Sequence, residues 1–102
     1  MTTDLKERLS FAAKAAGISE DTLNNIFFVW RPDLDDGDSR RLAVALRMDT
    51  WFAKDMDYEV ACAETAYHQS TIHFTTDPCA AMREAVLSVA EQVGRSMTKQ
   101  GD

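Results

Sequence analysis

Apolar residues recur every three or four positions near both ends of the chain, which is the spacing of one helix face. Near the start they are Leu5, Leu9, Ala12 and Ala16, and near the end they are Met82, Val86, Val89, Val93 and Met97. Thr3 or Asp4 can cap the first helix and Gly17 can end it. The last helix is predicted to begin at Asp77-Pro78, where aspartate caps and proline loses no useful hydrogen bond.

The middle of the chain predicts a further helix, a helical turn and several strands. The helix covers residues 36–47, with Leu42, Ala45 and Leu46 facing inward, and the short turn begins near Ser19. The predicted strands are residues 26–30, 50–54, 58–64 and 70–75. Their connections are too short for parallel crossovers. The predicted fold is therefore α+β, a small antiparallel β-meander of three to four strands with two to three helices packed on it.

Size and charge limit the classes of function. A chain of 102 residues with 45% hydrophobic content predicts a single ordered domain over residues 1–102, with residues 98–102 as a frayed tail. The formal charge of −6 makes nucleic acid an unfavourable partner, because affinity for it comes largely from neutralising phosphates. A basic protein partner is allowed, although the same charge is also compatible with nothing beyond solubility.

The location is predicted from the absence of two patterns. No apolar run approaches the roughly 20 residues that cross a bilayer. Residues 1–9 carry acids where a signal peptide has a basic and then an apolar stretch. We therefore expect a cytoplasmic protein that makes no membrane contact, with Cys62 and Cys79 as reduced thiols.

Residues 33–38, D-L-D-D-G-D, look like a cation-binding loop at first sight. A calcium loop of the EF-hand type needs glycine at position 6 and a glutamate at position 12. Counted from Asp33, position 6 is Asp38 and position 12 is Val44. The register fails, and capping of the following helix by Asp35 or Asp36 explains the acids instead. No metal site is predicted here.

Other candidate chemistry is also weak. Cys62, His68, His73 and Cys79 do not have the spacing of a zinc site. No serine motif is present, and the sequence does not show whether Cys79 lies near a histidine base. We expect a protein without a cofactor that is not an enzyme.

Residues 11–26 also fit a helix-turn-helix template, with Ala13, Gly17, Leu23 and Ile26 at the expected offsets. Such a motif places its second helix in the DNA major groove. That helix would present Glu20 and Asp21 to the phosphates, which lowers affinity. A DNA-binding regulator is therefore kept only as an alternative.

Three blocks of sequence resemble a family of small phage and prophage proteins. They are A-A-K-A-A-G-I at residues 12–18, W-R-P-D-L-D-D-G-D-S-R-R-L-A-V-A-L-R at residues 30–47 and D-P-C-A-A-M-R-E-A-V at residues 77–86. The intervening residues 48–76 match only loosely, and Ser39 stands where alanine is usual. The family has no assigned activity. The resemblance implies a phage or prophage origin and a place inside a bacterial host, and it supplies no catalytic residue.

Aromatic residues are more numerous than one sheet face must bury. They are Phe27, Phe28, Trp30, Trp51 and Phe52. Strict alternation along strands leaves some of them on the outer face, where aromatic residues favour interfaces. Either helices cover both faces, or the outer face is buried on a twin subunit in a two-fold homodimer.

The functional prediction combines these observations. We expect a non-enzymatic phage accessory protein that binds a host protein through an acidic surface, for instance a nucleic-acid-binding defence complex with a basic groove. The candidate contact residues are Asp33, Asp35, Asp36, Asp55, Asp57, Glu59 and Glu64. The alternatives are the DNA-binding regulator and a structural homo-oligomer.

Overall fold

The computed structural model describes residues 4–99, except for the side chains of Asp55 and Lys99. Its elements are α1 (Leu5–Ala16), α2 (Glu20–Leu23), α3 (Asp36–Ala45), β1 (Asp49–Asp55), β2 (Tyr58–Glu64), β3 (Gln69–Phe74) and α4 (Pro78–Lys99). The strands form one antiparallel sheet in the order β1-β2-β3. This is the predicted α+β fold, with three strands.

Helix α4 lies at the centre of the molecule. It packs against β2 and β3 on one side and against α1 and α3 on others. Its buried positions include Ala81, Ala85 and Ala90, small side chains that let neighbouring elements approach closely. A β-carbon at Gly94 would overlap the carbonyl oxygen of Phe11. The contact between α1 and α4 therefore depends on glycine at this position.

Helix α1 begins and ends as its sequence predicts. The side chain of Asp4 accepts a hydrogen bond from the Lys6 N–H, and Gly17 ends the helix in the left-handed conformation at φ 81°. Arg8 then joins α1 to α4 through ion pairs with Glu84 and Glu91, which raise the pKa of its guanidinium. Thr3, the other predicted cap, lies outside the described residues.

The two faces of the sheet differ in what covers them. On the face toward α4, Ala61 and Ala63 are fully buried, and Ile72 and Phe74 pack on the core as predicted. The other face carries no helix in the described part of the chain. Among the described side chains, this open face consists of Asp49, Trp51, Ala53, Tyr58, Val60, Cys62, Glu64, Gln69, Thr71 and His73.

The predicted strand at residues 26–30 is wrong. These residues form a turn and then an irregular stretch, in which the Phe28 N–H donates to the Asn25 carbonyl at 3.0 Å. The Phe27 N–H is bound by the Asn25 side chain at 2.8 Å. Asn25 thus satisfies the backbone locally, so the strand propensity of Ile26, Phe27 and Val29 has no partner strand to act on.

Two further expectations concern chain ends and the membrane. Helix α4 continues through Thr98 to Lys99, so the predicted frayed tail is helical there, while Gln100, Gly101 and Asp102 lie outside the described residues. Within residues 4–99, every helix is too short or too polar to cross a bilayer.

Candidate functional site

The acidic loop (residues 33–38) begins α3. Asp35 is the cap: its side chain accepts a hydrogen bond from the Asp38 N–H at 2.7 Å. Asp36 and Asp38 follow in the first turn, where carboxylates oppose the positive end of the helix dipole. Of the two predicted caps, Asp35 is the one the structure uses.

Asp38 is the most buried carboxylate of the loop, with 9% of its surface exposed. One of its oxygens accepts a hydrogen bond from the Arg31 N–H at 2.9 Å, and the other accepts from the Arg41 guanidinium at 2.6 Å. Both oxygens are therefore engaged within the chain, and the carboxylate serves to fold residues 31–38 back onto α3.

Two more arginines bind the remaining acids. Arg31 donates from its Nε and Nη2 to the two carboxylate oxygens of Asp33, at 2.9 and 2.7 Å. This pairing holds the pKa of the Asp33 carboxyl below its usual value. Arg83 of α4 donates to Asp36 at 2.6 Å and to the Asp33 carbonyl at 3.0 Å. The loop is thus tied to a helix some 50 residues later in the chain.

Gly37 also has a packing role in this loop. A β-carbon there would lie 3.1 Å from the Asp35 carboxylate and 3.4 Å from the Arg41 guanidinium. The missing side chain leaves room for Arg41 to reach Asp35 at 3.9 Å as well as Asp38. The acidic loop is therefore a compact network in which three arginines bind four aspartates.

No group of three or more histidine, cysteine, aspartate or glutamate side chains converges for a metal ion within the described residues. The two cysteines that were considered as zinc ligands lie in different environments. Cys62 is buried on the open face, whereas Cys79 is exposed in the first turn of α4. His73 lies on the open face, with its ring edge-on to Tyr58 at 5.7 Å between centroids.

The seven predicted contact residues fall in three places. Asp33, Asp35 and Asp36 are together in the acidic loop. Asp57 and Glu59 lie at the β1–β2 turn, with Asp55, whose side chain is outside the described part. Glu64 is at the opposite end of β2, roughly 20 Å from Asp57 along the strand. The structure therefore divides this set into three separate groups, and Glu64 stands alone in its group.

The open face is the broadest surface that the sheet leaves uncovered. Trp51 and Tyr58 are exposed on it, and they flank Cys62 and Val60 of the central strand, which are nearly buried. Thr71 lies against Cys62, with 3.9 Å between the sulfur and the hydroxyl oxygen. The alternation of β1 and β2 was the sequence signal for this face, although it did not show which set of residues the helices cover.

A groove between β1 and α3 was not predicted. We call it the β1 groove; it is a cavity of about 300 Å³ whose lining includes Arg40, Ala43, Thr50, Phe52, Cys79 and Met82. Its residues come from α3, β1 and α4, so no sequence pattern within one element identifies it.

The helix-turn-helix template requires a second helix that can enter the major groove, and the helix at that place is short. Helix α2 has four residues, and Ser19 caps it through a hydrogen bond from the Thr22 N–H. One helical turn is about 6 Å long and offers little surface to a major groove. Its first turn carries Glu20 and Asp21, both acidic.

Comparison with protein-family models, with curated proteins and with solved structures found no match to this chain. The resemblance to small phage proteins therefore stays a prediction.

Proposed function

We propose that this protein is a non-enzymatic phage or prophage accessory protein that acts by binding a host protein. The observation that carries the proposal is the open face of the sheet, which displays Trp51 and Tyr58 with no helix of the described residues over them. Aromatic side chains on an uncovered surface are enriched where proteins bind each other.

The charges around this face favour a basic partner. Asp49 and Glu64 are opposite each other at one end of the sheet, and Asp57 lies in the turn at the other end. A surface with aromatic residues between two acidic ends is complementary to a partner surface that carries lysine or arginine at its rim. Of the predicted contact residues, Asp57 and Glu64 therefore carry this proposal.

The acidic loop is a poorer contact surface. Asp33 and Asp36 are paired with Arg31 and Arg83, and Asp35 caps α3. A basic partner would have to displace these internal arginines, so little net attraction remains. We therefore assign the three aspartates of the loop a role in folding, and we assign the contact with the host protein to the open face.

A host partner of the expected kind is a nucleic-acid-binding protein, such as a component of a defence complex. Such proteins carry basic surfaces for phosphates. A chain of charge −6 that occupies such a surface would compete with nucleic acid for it. This expectation rests on the phage resemblance together with the acidic ends of the open face.

The test is affinity purification from host lysate with quantitative mass spectrometry. The informative variants are Tyr58→Ser and the charge reversal Glu64→Lys, both at exposed or partly exposed positions. The matched controls are Phe27→Ser, at an aromatic residue that is 86% exposed outside the sheet, and Asp21→Lys in α2. Circular dichroism checks that each variant is folded.

The proposal expects a host protein that the wild type and both controls retain and that the two open-face variants lose. Recovery that is the same for all five proteins would show that the open face is not the contact surface. Failure of the wild type to retain any host protein, from several hosts, would contradict the function itself.

A further inference from the structure

A pocket lies at one end of the sheet, where three separate parts of the chain meet. We call it the Arg47 pocket, after a residue that lines it just beyond the end of α3. The β2–β3 connection, residues 65–68, forms a second part of its lining, and the last turns of α4 form a third. Its volume is about 560 Å³, within the range of protein pockets that bind small molecules.

The Arg47 pocket has an apolar side and a polar rim. Leu46, Val93 and Met97 supply the apolar side, and the first two also pack against the hydrophobic core. A largely apolar wall with a few polar groups is the usual form of a small-molecule site. The polar groups come from Arg47, Thr65, Tyr67, His68 and Ser96.

Two hydrogen bonds fix the wall that the β2–β3 connection forms. The Thr65 N–H donates to the His68 carbonyl at 2.8 Å, and the His68 N–H donates to the Thr65 hydroxyl at 3.3 Å. Tyr67 lies between these two residues and is 91% exposed. Because the connection is held closed in this way, the wall is formed before any ligand arrives, which lowers the cost of binding.

Arg47 has a backbone conformation that glycine usually adopts. Its φ is 56°, and it directly follows Leu46, the C-cap of α3. The Arg47 N–H donates to the Val44 carbonyl at 3.1 Å, and the Met48 N–H donates to the Ala43 carbonyl at 2.9 Å. This pair of hydrogen bonds ends a helix through a left-handed residue, and a β-carbon is disfavoured there. Arginine at this position therefore has a steric cost that glycine would not have.

The charge of Arg47 has no ionic partner in the described part of the chain. Its side chain is exposed and takes part in none of the ion pairs found within residues 4–99. A cation is favourable at the end of a helix, but by less than the steric cost of positive φ. Non-glycine residues held at positive φ cluster at ligand-binding sites. The other arginines, apart from Arg40, are paired: Arg8, Arg31, Arg41, Arg83 and Arg95.

We propose that the Arg47 pocket binds a small organic monocarboxylate with an apolar body, such as a medium-chain fatty acid. The carboxylate accepts two hydrogen bonds from the Arg47 guanidinium, whose planar fork matches its geometry. The His68 ring and the Ser96 hydroxyl supply further donors at the rim. The apolar body lies against the apolar side of the pocket, where its burial is favourable.

A single negative charge fits this pocket better than several. Among the described residues that line it, Arg47 is the one lysine or arginine. A phosphate or a nucleotide carries more negative charge, and the chain itself carries a net charge of −6. Glu64, which precedes the β2–β3 connection, belongs to the open face on the other side of the sheet. The inference does not depend on the proposed host partner, since the open face takes no part in it.

Titration of the isotope-labelled full chain with octanoate, followed by two-dimensional NMR, tests the proposal. We expect saturable shifts for the amides of residues 46–47, 65–68 and 93–97, with a dissociation constant of about 1 mM or tighter. Octanol lacks the charge and acetate lacks the apolar body. Each should therefore bind at least about tenfold more weakly than octanoate.

The variant Arg47→Gly separates binding from folding. It removes the guanidinium and also the β-carbon that positive φ disfavours. The octanoate dissociation constant should therefore rise at least about tenfold, while the urea midpoint equals or exceeds that of the wild type. A protein that is no less stable and no longer binds is not explained by misfolding.

A matched pair of variants tests the charge alone. Arg47→Gln removes the charge at the pocket, whereas Arg40→Gln removes it from α3 at an exposed arginine that lines the β1 groove instead. Arg47→Gln should weaken octanoate binding and Arg40→Gln should leave it unchanged.

Four results would overturn the proposal. They are octanoate shifts that do not saturate or that lie outside the pocket, binding that Arg47→Gln leaves unchanged or that Arg40→Gln weakens equally, acetate or octanol that binds as tightly as octanoate, and a urea midpoint of Arg47→Gly below that of the wild type. The last result would show that the folding of the chain accounts for Arg47.

Discussion

Residues 26–30 and residues 33–38 are neighbours in the chain, and their burial is the reverse of what their composition predicts. In residues 26–30, Ile26, Phe27 and Val29 are largely exposed, whereas the acidic loop is bound by arginines and contains the buried Asp38. Burial normally follows hydrophobicity, with aspartate outside and isoleucine or phenylalanine inside. Here the partners available to each stretch decide the outcome instead.

The acidic loop finds its partners inside the chain. Arg31, Arg41 and Arg83 come from the loop's approach, from α3 and from α4, and each contacts at least one aspartate. Buried polar groups are tolerated when they are hydrogen-bonded. Within residues 26–30, Trp30 packs against the core but the first residues stay exposed. Asn25 holds the start of this stretch in a turn.

Among the changes considered for these two regions, replacement of Asp38 should lower the free energy of unfolding most. Asp38→Ala removes the acceptor of the Arg31 N–H and the partner of Arg41, and leaves a partly buried donor unsatisfied. We expect a loss of about 2–3 kcal/mol in the free energy of unfolding, measured by urea denaturation. Asp38→Asn is the control, since it keeps one acceptor and should lose less. A loss in Asp38→Ala no larger than that of an exposed aspartate would contradict the assignment.

Removal of the helix cap should have a smaller effect. Asp35→Ala leaves the Asp38 N–H without its side-chain acceptor, and such changes cost about 1 kcal/mol. Asp35→Ser keeps an oxygen at the cap and should retain most of the stability. The urea midpoints of the two variants give the comparison. Equal losses would show that the carboxylate charge, and not the capping hydrogen bond, matters here.

The capping role of Asp35 could be predicted from sequence because a cap involves residues only three positions apart. The helices α1, α3 and α4 and the three strands were predicted for the same reason, since each depends on a local period. The binding of Asp36 by Arg83 was not predictable, because 47 residues separate them and the fold alone brings them together.

The error at residues 26–30 has a physical cause. Five β-favouring residues in a row predict a strand, but strand formation also requires a partner edge and a covering layer. Asn25 closes a turn there, and the neighbouring Pro32 lacks the N–H that a strand uses. The β1 groove was not predicted because it forms only where the fold brings α3, β1 and α4 together.

Acidification should remove the stabilisation that the Arg31–Asp33 pair provides. Arg31 lowers the pKa of the Asp33 carboxyl from its ordinary value of 3.8, mainly by hydrogen bonding to the carboxylate. The pair therefore stabilises the folded protein fully above that value, and the stabilisation is lost as the pH falls through the lowered pKa. Arg31→Gln should have a lower urea midpoint than the wild type at neutral pH.

The pH series provides the control for this variant. The difference between Arg31→Gln and the wild type should shrink as the pH falls below 3.8, because Asp33 becomes protonated in both folded proteins. A difference that stays constant with pH would show that Arg31 acts through packing and not through the charge of Asp33.

The smallest effect on stability is expected at Phe27, in residues 26–30. Phe27→Ser removes a side chain that is 86% exposed, so at low protein concentration the free energy of unfolding should change by no more than about 0.5 kcal/mol. A larger loss would mean that Phe27 packs within its own chain. A loss within this limit would show that Phe27 contributes little to the folding of its own chain, in contrast to the paired aspartates of the acidic loop.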